Sequence, residues 1–203
     1  MNIVCFDMEG VFTPEIWVNV ARKTGIDALK ITTRDEPDYD KLMLYRIAIL
    51  KKNGITLKYI QDVIASLDLL PGAREFFDKI HGRNQAIVVT DSFVEFAMPF
   101  IHKLGSPLVL CHNLITDQHG MITGYKLRQA DPKRRVVEAF QSLTYKVVSI
   151  GDSYNDMGMI AQAEKGILYC PPENVVRDYP QYPVTRNYTE LEALILKSLV
   201  ELG

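Results

Sequence analysis

The chain has 203 residues, of which 47% are hydrophobic and 24% charged, and its formal net charge at pH 7 is −2. This length suits one α/β domain with an insertion, and the charge gives no electrostatic footprint for nucleic acid or anionic membranes. No apolar run reaches the roughly 18 residues of a membrane helix, and Asp7 interrupts the first one, which is untypical of a signal peptide. Three widely spaced cysteines, Cys5, Cys111 and Cys170, favour reduced thiols over disulfides or zinc and predict a cytoplasmic protein.

The first predicted element is a strand at residues 3–6, where a short apolar run includes two β-branched residues. It ends at Asp7, and Glu9 and Gly10 follow at once. A carboxylate at the end of a buried strand is costly to desolvate unless a cation or donors lie beside it. Because ligands of open α/β sheets bind at this edge, Asp7 and Glu9 indicate a ligand site; the alternative is a loop with solvated carboxylates.

Residues 13–70 have mostly helical patterns and far exceed the roughly dozen residues that a crossover between parallel strands needs. They predict a helical insertion above the ligand edge of the sheet. Pro71 and Gly72 mark the return of the chain. We therefore expect a core domain of residues 1–12 and 71–203 and a helical cap domain of residues 13–70.

Several helix starts are marked by a Ser, Thr or Asp followed either by proline or by a glutamate three residues later. Asn53 and Gly54 mark a helix end. The predicted cap residues are Thr13 before Pro14, Thr56, Ser92, Asp131 before Pro132, and Thr189.

Three further apolar runs, at 86–89, 147–150 and 166–170, are separated by helical patterns, which is typical of a parallel sheet covered on both faces. Residues 108–111 and 120–125 flank a polar tip and predict a hairpin. The predicted fold class is α/β: a Rossmann-like, three-layer, doubly wound parallel sheet with a helical cap inserted after the first strand and a small β-hairpin.

The polar residues at the predicted strand ends suggest phosphate chemistry. Asp7, Asp152 and Asp156 concentrate like charges, which repel by about 4 kcal/mol at ~4 Å when the effective dielectric is near 20, so a cation is required. Oxygen-only ligands favour Mg²⁺. Thr90 and Lys133 could then hold a phosphate, and the Asp7 carboxylate could attack phosphorus to form an aspartyl-phosphate.

Simpler interpretations of these residues stay open. Thr90 could belong, with Ser92, to the cap of the next helix, and Lys133 could be a surface lysine. A lysine near a helix start opposes the helix dipole, however, which indicates a nearby anion. The histidines fit no metal or triad spacing and are interpreted as surface or capping residues; they are His81, His102, His112 and His119.

Four motifs resemble those of the haloacid dehalogenase-type phosphohydrolases over essentially the whole chain. The motifs are Asp7-Met8-Glu9-Gly10-Val11, Thr90 after an apolar strand, Lys133, and Gly151-Asp152-Ser153-Tyr154-Asn155-Asp156. The insertion after the first motif resembles the phosphoserine phosphatases of that superfamily. The D-x-E-G start, G-I-D-A-L-K, residues 128–134 and P-E-N-V-V-R-D resemble the bacterial phosphoserine phosphatase/homoserine phosphotransferase type. This resemblance implies a haloacid dehalogenase-like fold and a place in serine or threonine biosynthesis.

The resemblance also implies roles at the metal. Asp7 would be the nucleophile and a Mg²⁺ ligand. Glu9 would give its main-chain carbonyl to Mg²⁺ and act through its side chain as general acid and base. Asp152 would be the third protein ligand, and Asp156 would orient a water molecule on the metal.

Substrate contacts are implied in the same way. Thr90 and Lys133 would bind the phosphate. Glu15 and Arg46 match the cap residues that recognise the amino acid, its ammonium and its carboxylate. Further substrate contacts are implied for Asp91 and Asn155.

Arg46 has a second argument, because its neighbours at helical spacing are apolar and a guanidinium on such a stripe needs a carboxylate partner. A structural salt bridge is the alternative. For Glu15 the alternative is an interaction with the helix dipole. The helix from about Asp38 to Lys52 is apolar nearly all round between residues 42 and 50, so a homodimer through the cap, or cap packing alone, would explain it.

Three positions depart from the usual phosphoserine phosphatase pattern. Glu9 replaces an aspartate, Thr90 stands where serine is common, and Asp91 stands where glycine is common. Asp91 adds a negative charge that could favour an amine or hydroxyl acceptor. These differences concern the balance between hydrolysis and transfer and leave the covalent first step unaffected.

The sequence thus predicts a Mg²⁺-dependent phosphoserine phosphatase that forms an aspartyl-phosphate, with transfer to homoserine as a further expectation. One alternative is a phosphatase of the same superfamily with another small phosphate ester. A second is a receiver-like signalling module, which uses similar residues but puts its aspartate on a later strand. A third is a dehalogenase, which would not need the Mg²⁺-binding carboxylates.

Overall fold

The computed structural model of the chain describes residues 1–32, 35–36 and 38–203. The strands in these ranges are β1 (Asn2–Phe6), β2 (Gln85–Phe93), β3 (Val109–Thr116), β4 (Ile122–Lys126), β5 (Lys146–Gly151), β6 (Lys165–Tyr169) and β7 (Val184–Thr185). The helices are α1 (Ile16–Thr24), α2 (Tyr39–Lys52), α3 (Leu57–Ala65), α4 (Ala73–His81), α5 (Val94–Lys103), α6 (Pro132–Ser142), α7 (Met157–Gln162), α8 (Glu173–Asp178) and α9 (Tyr188–Leu202), with 3-10 turns at Asp27–Lys30 and Tyr154–Asp156.

The strands form one sheet in the order β4-β3-β2-β1-β5-β6-β7. Neighbouring strands are parallel except β3 and β4, which form the predicted hairpin. Val4 of the central β1 lies opposite Ala86 on one side and Val148 on the other. The chain winds in opposite directions from β1, so the carboxyl end of this strand lies at a switch point, where open α/β sheets bind ligands. The predicted fold class is confirmed.

The strand β1 is buried on both faces and fixes the position of Asp7. Val4 and Phe6 belong to one apolar cluster, whereas Ile3 and Cys5 belong to a second cluster on the other face. In the first cluster the Phe6 ring lies 5.1 Å from the ring of Phe12. Because a slip of one residue would exchange the two faces, this packing sets the register of β1 and places Asp7 at the edge of the sheet.

The insertion leaves and rejoins the sheet at one point, since the Leu70 N–H donates to the Phe12 carbonyl at 2.8 Å. The segment 13–70 contains α1, α2 and α3. A backbone hydrogen bond of 2.9 Å joins the start of α3 to the tip of the hairpin. The division into a core of residues 1–12 and 71–203 and a separate cap stays a prediction.

Helix α2 begins after Asp38, whose carboxylate accepts from the Lys41 N–H at 3.1 Å. Its buried face includes Leu42. Leu44 and Tyr45 lie on the opposite face and are 59% and 47% exposed. One side of the apolar stretch is therefore packed within the chain while the other faces outward, and the homodimer stays a prediction.

The predicted start of the first helix at Thr13 is wrong. Helix α1 begins at Ile16, and its side-chain cap comes from a distant residue: the Ile16 N–H donates to Glu9 Oε2 at 2.9 Å. Glu9 lies in the loop after β1, so a local capping pattern could not find it. The residue predicted as the acid/base thus holds the first turn of the insertion.

Two other predicted caps are also wrong. Ser92 lies inside β2, which continues to Phe93, so the α5 start has no side-chain cap. The cap of α9 is Asn187 instead of Thr189, and its side chain accepts from the Glu190 N–H at 3.0 Å.

Other local features of the structure agree with the sequence-based predictions. Thr56 caps α3 by accepting from the Tyr59 N–H at 3.2 Å. Pro132 is the first residue of α6 as predicted, but the Asp131 side chain before it makes no capping hydrogen bond. Asn53 and Gly54 follow the end of α2. All three cysteines are unpaired. Among the helices of the described ranges, none is long and apolar enough to cross a membrane.

Candidate active site

Three carboxylates converge at the carboxyl ends of β1 and β5. Asp7 directly follows β1, Asp152 directly follows β5, and Asp156 closes the short 3-10 turn after it. One carboxylate oxygen from each lies within 4.8 Å of the other two. Burial and the charge of Asp156 raise the pKa of Asp7 well above its ordinary value, and the same causes raise the pKa of Asp152 to about 7. This oxygen-only cluster fits a hard divalent cation, which would relieve the repulsion.

Lys133 lies at the centre of the carboxylates. Its ammonium is 2.8 Å from Asp7 Oδ1, 2.6 Å from Asp156 Oδ1 and 3.5 Å from Asp91 Oδ2. Burial acts to lower the pKa of Lys133, but the three carboxylates outweigh it and raise this pKa well above the ordinary value. Lys133 therefore stays charged, and the alternative of a surface lysine is excluded because the residue is 2% exposed.

Asp156 is fixed by its own loop. Its Oδ2 accepts from the Asp152 and Ser153 N–H groups at 2.9 and 3.0 Å, while Oδ1 accepts from Lys133. A Cβ at Gly151 would lie 2.3 Å from the Asp156 side chain, so glycine is required for this turn. The spacing of the G-D-x-x-x-D motif follows from these contacts.

Gly10 provides a test of the cation site. Its φ is +78°, and a Cβ there would lie 2.6 Å from the Asp152 carboxyl carbon. We expect Gly10→Ala to displace Asp152 and weaken cation binding, beyond the cost of about 1 kcal/mol or more for alanine at positive φ. Thermal unfolding with and without Mg²⁺ measures both effects, because a cation that binds the folded state raises Tm.

Gly25→Ala is the matched control for Gly10→Ala. Gly25 has a similar φ of +72°, but nothing lies within 4 Å of the added Cβ. Both variants should lower Tm in the absence of the metal. Only Gly10→Ala should reduce the increase in Tm that Mg²⁺ produces, and an equal Mg²⁺ response in the two variants would contradict this assignment.

Glu9 lies beside the cluster with its carboxylate turned to the first turn of α1. Burial, followed by the charge of Glu15, raises the pKa of Glu9 to about 8, against the lowering effects of the Ile16 N–H and Arg46. At neutral pH, Glu9 is therefore mostly protonated. A protonated carboxyl group next to a phosphate site has the properties of a general acid.

Arg46 is buried and held by groups other than carboxylates. Its Nη2 donates to the Ile31 carbonyl at 2.6 Å, and its Cζ lies 4.5 Å from the centre of the Trp17 ring. Its Nε is buried without a hydrogen-bond partner in the described structure. Burial lowers the pKa of Arg46 to about 10, although Glu9 acts to raise it. No structural salt bridge to Arg46 occurs within the described ranges, and a ligand carboxylate would supply the partner that the buried Nε lacks.

Glu15 is exposed at the start of α1, where its side chain makes no capping hydrogen bond. Its charge influences both Glu9 and Asp152 and raises the pKa of each. Glu15 therefore lies near the opening of the site. Its contact with the substrate ammonium stays a prediction.

The remaining predicted site residues lie around the end of β2. Thr90 is buried, and its hydroxyl oxygen accepts from the Ser92 N–H at 3.2 Å, so the predicted local turn and the phosphate contact are compatible. Asp91 Oδ2 accepts from Asn155 Nδ2 at 3.0 Å. Burial acts to raise the pKa of Asp91, but Lys133, His112 and Asn155 hold it well below its usual range.

Three residues near the site were not predicted as part of it. Tyr39 donates its hydroxyl to the Asp91 carbonyl at 3.1 Å, and Trp17 stacks on Arg46. The interpretation of His112 as a surface or capping residue is wrong, because it is 2% exposed and faces Asp91. Alternation along β3, where His112 shares a face with Leu114, is a signal that could have predicted this burial.

Comparisons with known proteins agree with this geometry. A family model described as haloacid dehalogenase-like hydrolase matches residues 1–164. The chain is 51% identical over 198 residues to phosphoserine phosphatase ThrH of Pseudomonas aeruginosa, covering 98% of this chain and 97% of that protein. It is 48% identical over 198 residues to a phosphoserine phosphatase of Pseudomonas syringae pv. tomato, covering 98% of this chain and 84% of that protein.

Among solved structures, a substrate-bound phosphoserine phosphatase complex is similar with a TM-score of 0.78 and 18% identity, covering 94% of this chain and 96% of that one. At this identity the likeness shows the fold alone. The two curated relatives and the family model go further, because they align with most of the sequence, including the residues of the site. The chain belongs to the haloacid dehalogenase-like hydrolase family.

Proposed function

We propose that this chain is a Mg²⁺-dependent phosphoserine phosphatase that works through an aspartyl-phosphate on Asp7 and also transfers the phosphoryl group to homoserine. The observation that carries the proposal is the convergence of Asp7, Lys133, Asp152 and Asp156 at the switch point of the sheet. The names of the two relatives that align with the whole site support the substrate.

The donor set fits Mg²⁺. The clustered ligands are all carboxylate oxygens, and burial together with the charge of Asp156 raises the pKa of Asp7 and Asp152. Asp7, Asp152 and the main-chain carbonyl of Glu9 would hold the ion, with Asp156 beside it. When bound, Mg²⁺ would neutralise charge on the phosphoryl oxygens and keep the Asp7 carboxylate ionised.

In the first step, an oxygen of Asp7 attacks phosphorus while the bond from phosphorus to the serine oxygen breaks. Lys133 lies within hydrogen-bond distance of Asp7, so its ammonium can also contact the phosphoryl oxygens as they arrive. The serine oxygen takes a proton from Glu9, whose pKa of about 8 keeps it protonated at neutral pH.

In the second step, the Glu9 carboxylate takes a proton from water or from the homoserine hydroxyl. That oxygen attacks the phosphorus, and the bond to Asp7 breaks. The hydrogen bond from Tyr39 to the Asp91 carbonyl holds α2 of the insertion against the end of β2. This contact supports the transfer reaction. An insertion held over the site would limit the entry of water and so favour a bound alcohol as the acceptor.

The direct test is incubation with Mg²⁺ and O-phosphoserine, with and without homoserine, followed by measurement of inorganic phosphate and O-phosphohomoserine. We expect free phosphate in the first reaction and a homoserine-dependent transfer product in the second. If phosphate formed without the transfer product, only the proposed transferase activity would be contradicted. No turnover of phosphoserine in either reaction would refute the proposed substrate.

The pH dependence tests the role of Glu9. Because the general acid must carry its proton, we expect kcat/KM for phosphoserine to fall as the pH rises above about 8. In Glu9→Gln, the pH profile of kcat/KM should lose this basic limb. Glu15→Gln should move it to lower pH, because the charge of Glu15 raises the pKa of Glu9. An unchanged basic limb in Glu9→Gln would exclude Glu9 as the general acid.

The alternative functions differ in how they fit the site. A phosphatase that acts on another small phosphate ester would share the carboxylate cluster but would not need the unpaired Nε–H donor of Arg46. A receiver-like module does not agree with family membership or with Asp7 on β1. A dehalogenase would not need the clustered carboxylates. We expect the activity to be cytoplasmic, since the cysteines are unpaired.

A further inference from the structure

We propose that His112 is a positioning residue, which fixes the Asp91 carboxylate and through it keeps Lys133 in place for the phosphoryl group. The proposal rests on the proposed phosphatase function and adds a residue from β3 to it. His112 does not reach the carboxylate cluster itself. It acts through Asp91, the position at which glycine is common in phosphoserine phosphatases.

One hydrogen bond of the His112 ring defines its tautomer. The backbone N–H of Arg128 lies 3.2 Å from His112 Nδ1, and a backbone N–H can only donate, so Nδ1 must be the acceptor. The proton of the neutral ring then lies on Nε2, which faces Asp91 Oδ1 at 3.8 Å. The ring is almost completely buried, so its orientation is set by the hydrogen bond at Nδ1 and by the surrounding packing.

Asp91 joins four elements at the edge of the site. Its carbonyl accepts from Tyr39 of α2, and its Oδ2 accepts from Asn155 of the turn after β5. The same Oδ2 lies 3.5 Å from the ammonium of Lys133 on α6, while Oδ1 faces His112 on β3. The two carboxylate oxygens therefore face different groups, and the His112 ring is the polar group that faces Oδ1, at a distance of electrostatic contact and beyond that of a direct hydrogen bond.

The distances around Lys133 indicate what this arrangement achieves. Lys133 is 2.8 Å from Asp7 and 2.6 Å from Asp156, but 3.5 Å from Asp91. If Oδ1 lost the polar Nε2–H group that faces it, the Asp91 carboxylate could turn and form a close ion pair with Lys133. The ammonium would then be drawn away from Asp7, where the phosphoryl group is to be bound.

Nitrogen-15 NMR of the imidazole rings tests the geometry independently of any activity. We expect His112 in the folded protein to be the neutral Nε2–H tautomer. In Asp91→Asn, the His112 Nε2 signal should shift, while the signal of the exposed His102 should not. A neutral Nδ1–H tautomer, or no response of His112 to Asp91→Asn, would overturn the proposal whatever the substrate is.

Two matched variants test the role. Glutamine places its side-chain nitrogen near the position of imidazole Nε2, whereas asparagine is too short to reach Asp91. We expect His112→Asn to raise both KM for phosphoserine and Kd for inorganic phosphate about tenfold, with kcat changing much less. His112→Gln should stay within about threefold of the parent protein, and His102→Asn should have no effect.

A double-mutant cycle shows whether His112 acts through Asp91. In the Asp91→Asn background, His112→Asn should add less than about a twofold change in either constant. Full additivity of the two substitutions would overturn the proposal, as would an equal loss in His112→Gln and His112→Asn. Thermal unfolding identifies a merely structural role, in which Tm falls while KM and the phosphate Kd of the folded protein are unchanged.

If the parent protein did not hydrolyse phosphoserine, the proposed function would fail, but the phosphate Kd and the NMR measurement would still test His112. The two failures are therefore distinguishable. Inorganic phosphate is a sufficient probe because Lys133 is expected to contact the phosphoryl group of any ester.

Discussion

Asp7→Asn is expected to lower the turnover of phosphoserine by at least about 10⁴-fold, because it removes the attacking oxygen and no neighbouring group can replace it. Asp156 and Asp152 lie within reach of the same cluster, but the N–H groups of the loop and Lys133 hold Asp156, and Asp152 follows a different strand. Their positions suit them to hold the cation and Lys133.

The fold should survive this substitution. Asparagine has nearly the shape of aspartate, and Lys133 keeps its 2.6 Å contact with Asp156. Burial and the charge of Asp156 both raise the pKa of Asp7, so the loss of its negative charge need not destabilise the protein without metal. Thermal unfolding should give a Tm for Asp7→Asn close to or above that of the parent protein.

The covalent intermediate distinguishes Asp7 from a residue that only binds the metal. Acid quenching during turnover, followed by intact mass and peptide mapping, should find one phosphoryl group on the peptide that contains Asp7, and none in Asp7→Asn. Asp68→Asn is the matched control, because Asp68 is 92% exposed and contacts Lys103 far from this chemistry. A phosphorylated peptide in Asp7→Asn, or activity within about tenfold of the parent, would show that another residue is the nucleophile.

The parts of this site that could be predicted from the sequence are those fixed by strand ends. Asp7 and Asp152 each follow a short apolar run, and parallel strands deliver their carboxyl ends to one edge, so their convergence follows from the pattern. Lys133 was found because a lysine beside a helix start indicates an anion. The resemblance to a known family supplied the roles of Glu15, Arg46 and Asn155.

The parts that could not be predicted depend on contacts between distant segments. Glu9 caps α1 by accepting from Ile16, seven positions later in the sequence, which a local capping rule does not consider. Ser92 fits the pattern of a helix start, but β2 continues through it to Phe93. The pairing of Phe93 with β3 outweighs the local pattern. Alternation along β3 is consistent with the burial of His112, but the position of this ring opposite Asp91 is visible only in the folded chain.

Arg46 is the residue that tests whether the substrate is phosphoserine or another small phosphate ester. We expect Arg46→Ala to raise KM for phosphoserine about 100-fold, because the proposal gives its buried guanidinium charge-assisted hydrogen bonds to the substrate carboxylate. Turnover of phosphoethanolamine, which lacks that carboxylate, should change by less than about threefold. Steady-state kinetics on both esters measures this selectivity.

Two variants complete the comparison. Arg46→Lys retains the charge but loses the planar group that stacks on Trp17 and donates to the Ile31 carbonyl, so its KM should lie between those of the parent and Arg46→Ala. Arg22→Ala, on the exposed side of α1, should leave both esters unaffected. An equal loss on both esters would show that Arg46 supports the structure of the insertion. That result would favour a substrate without an amino-acid carboxylate, because the unpaired Nε of Arg46 would no longer indicate a carboxylate partner.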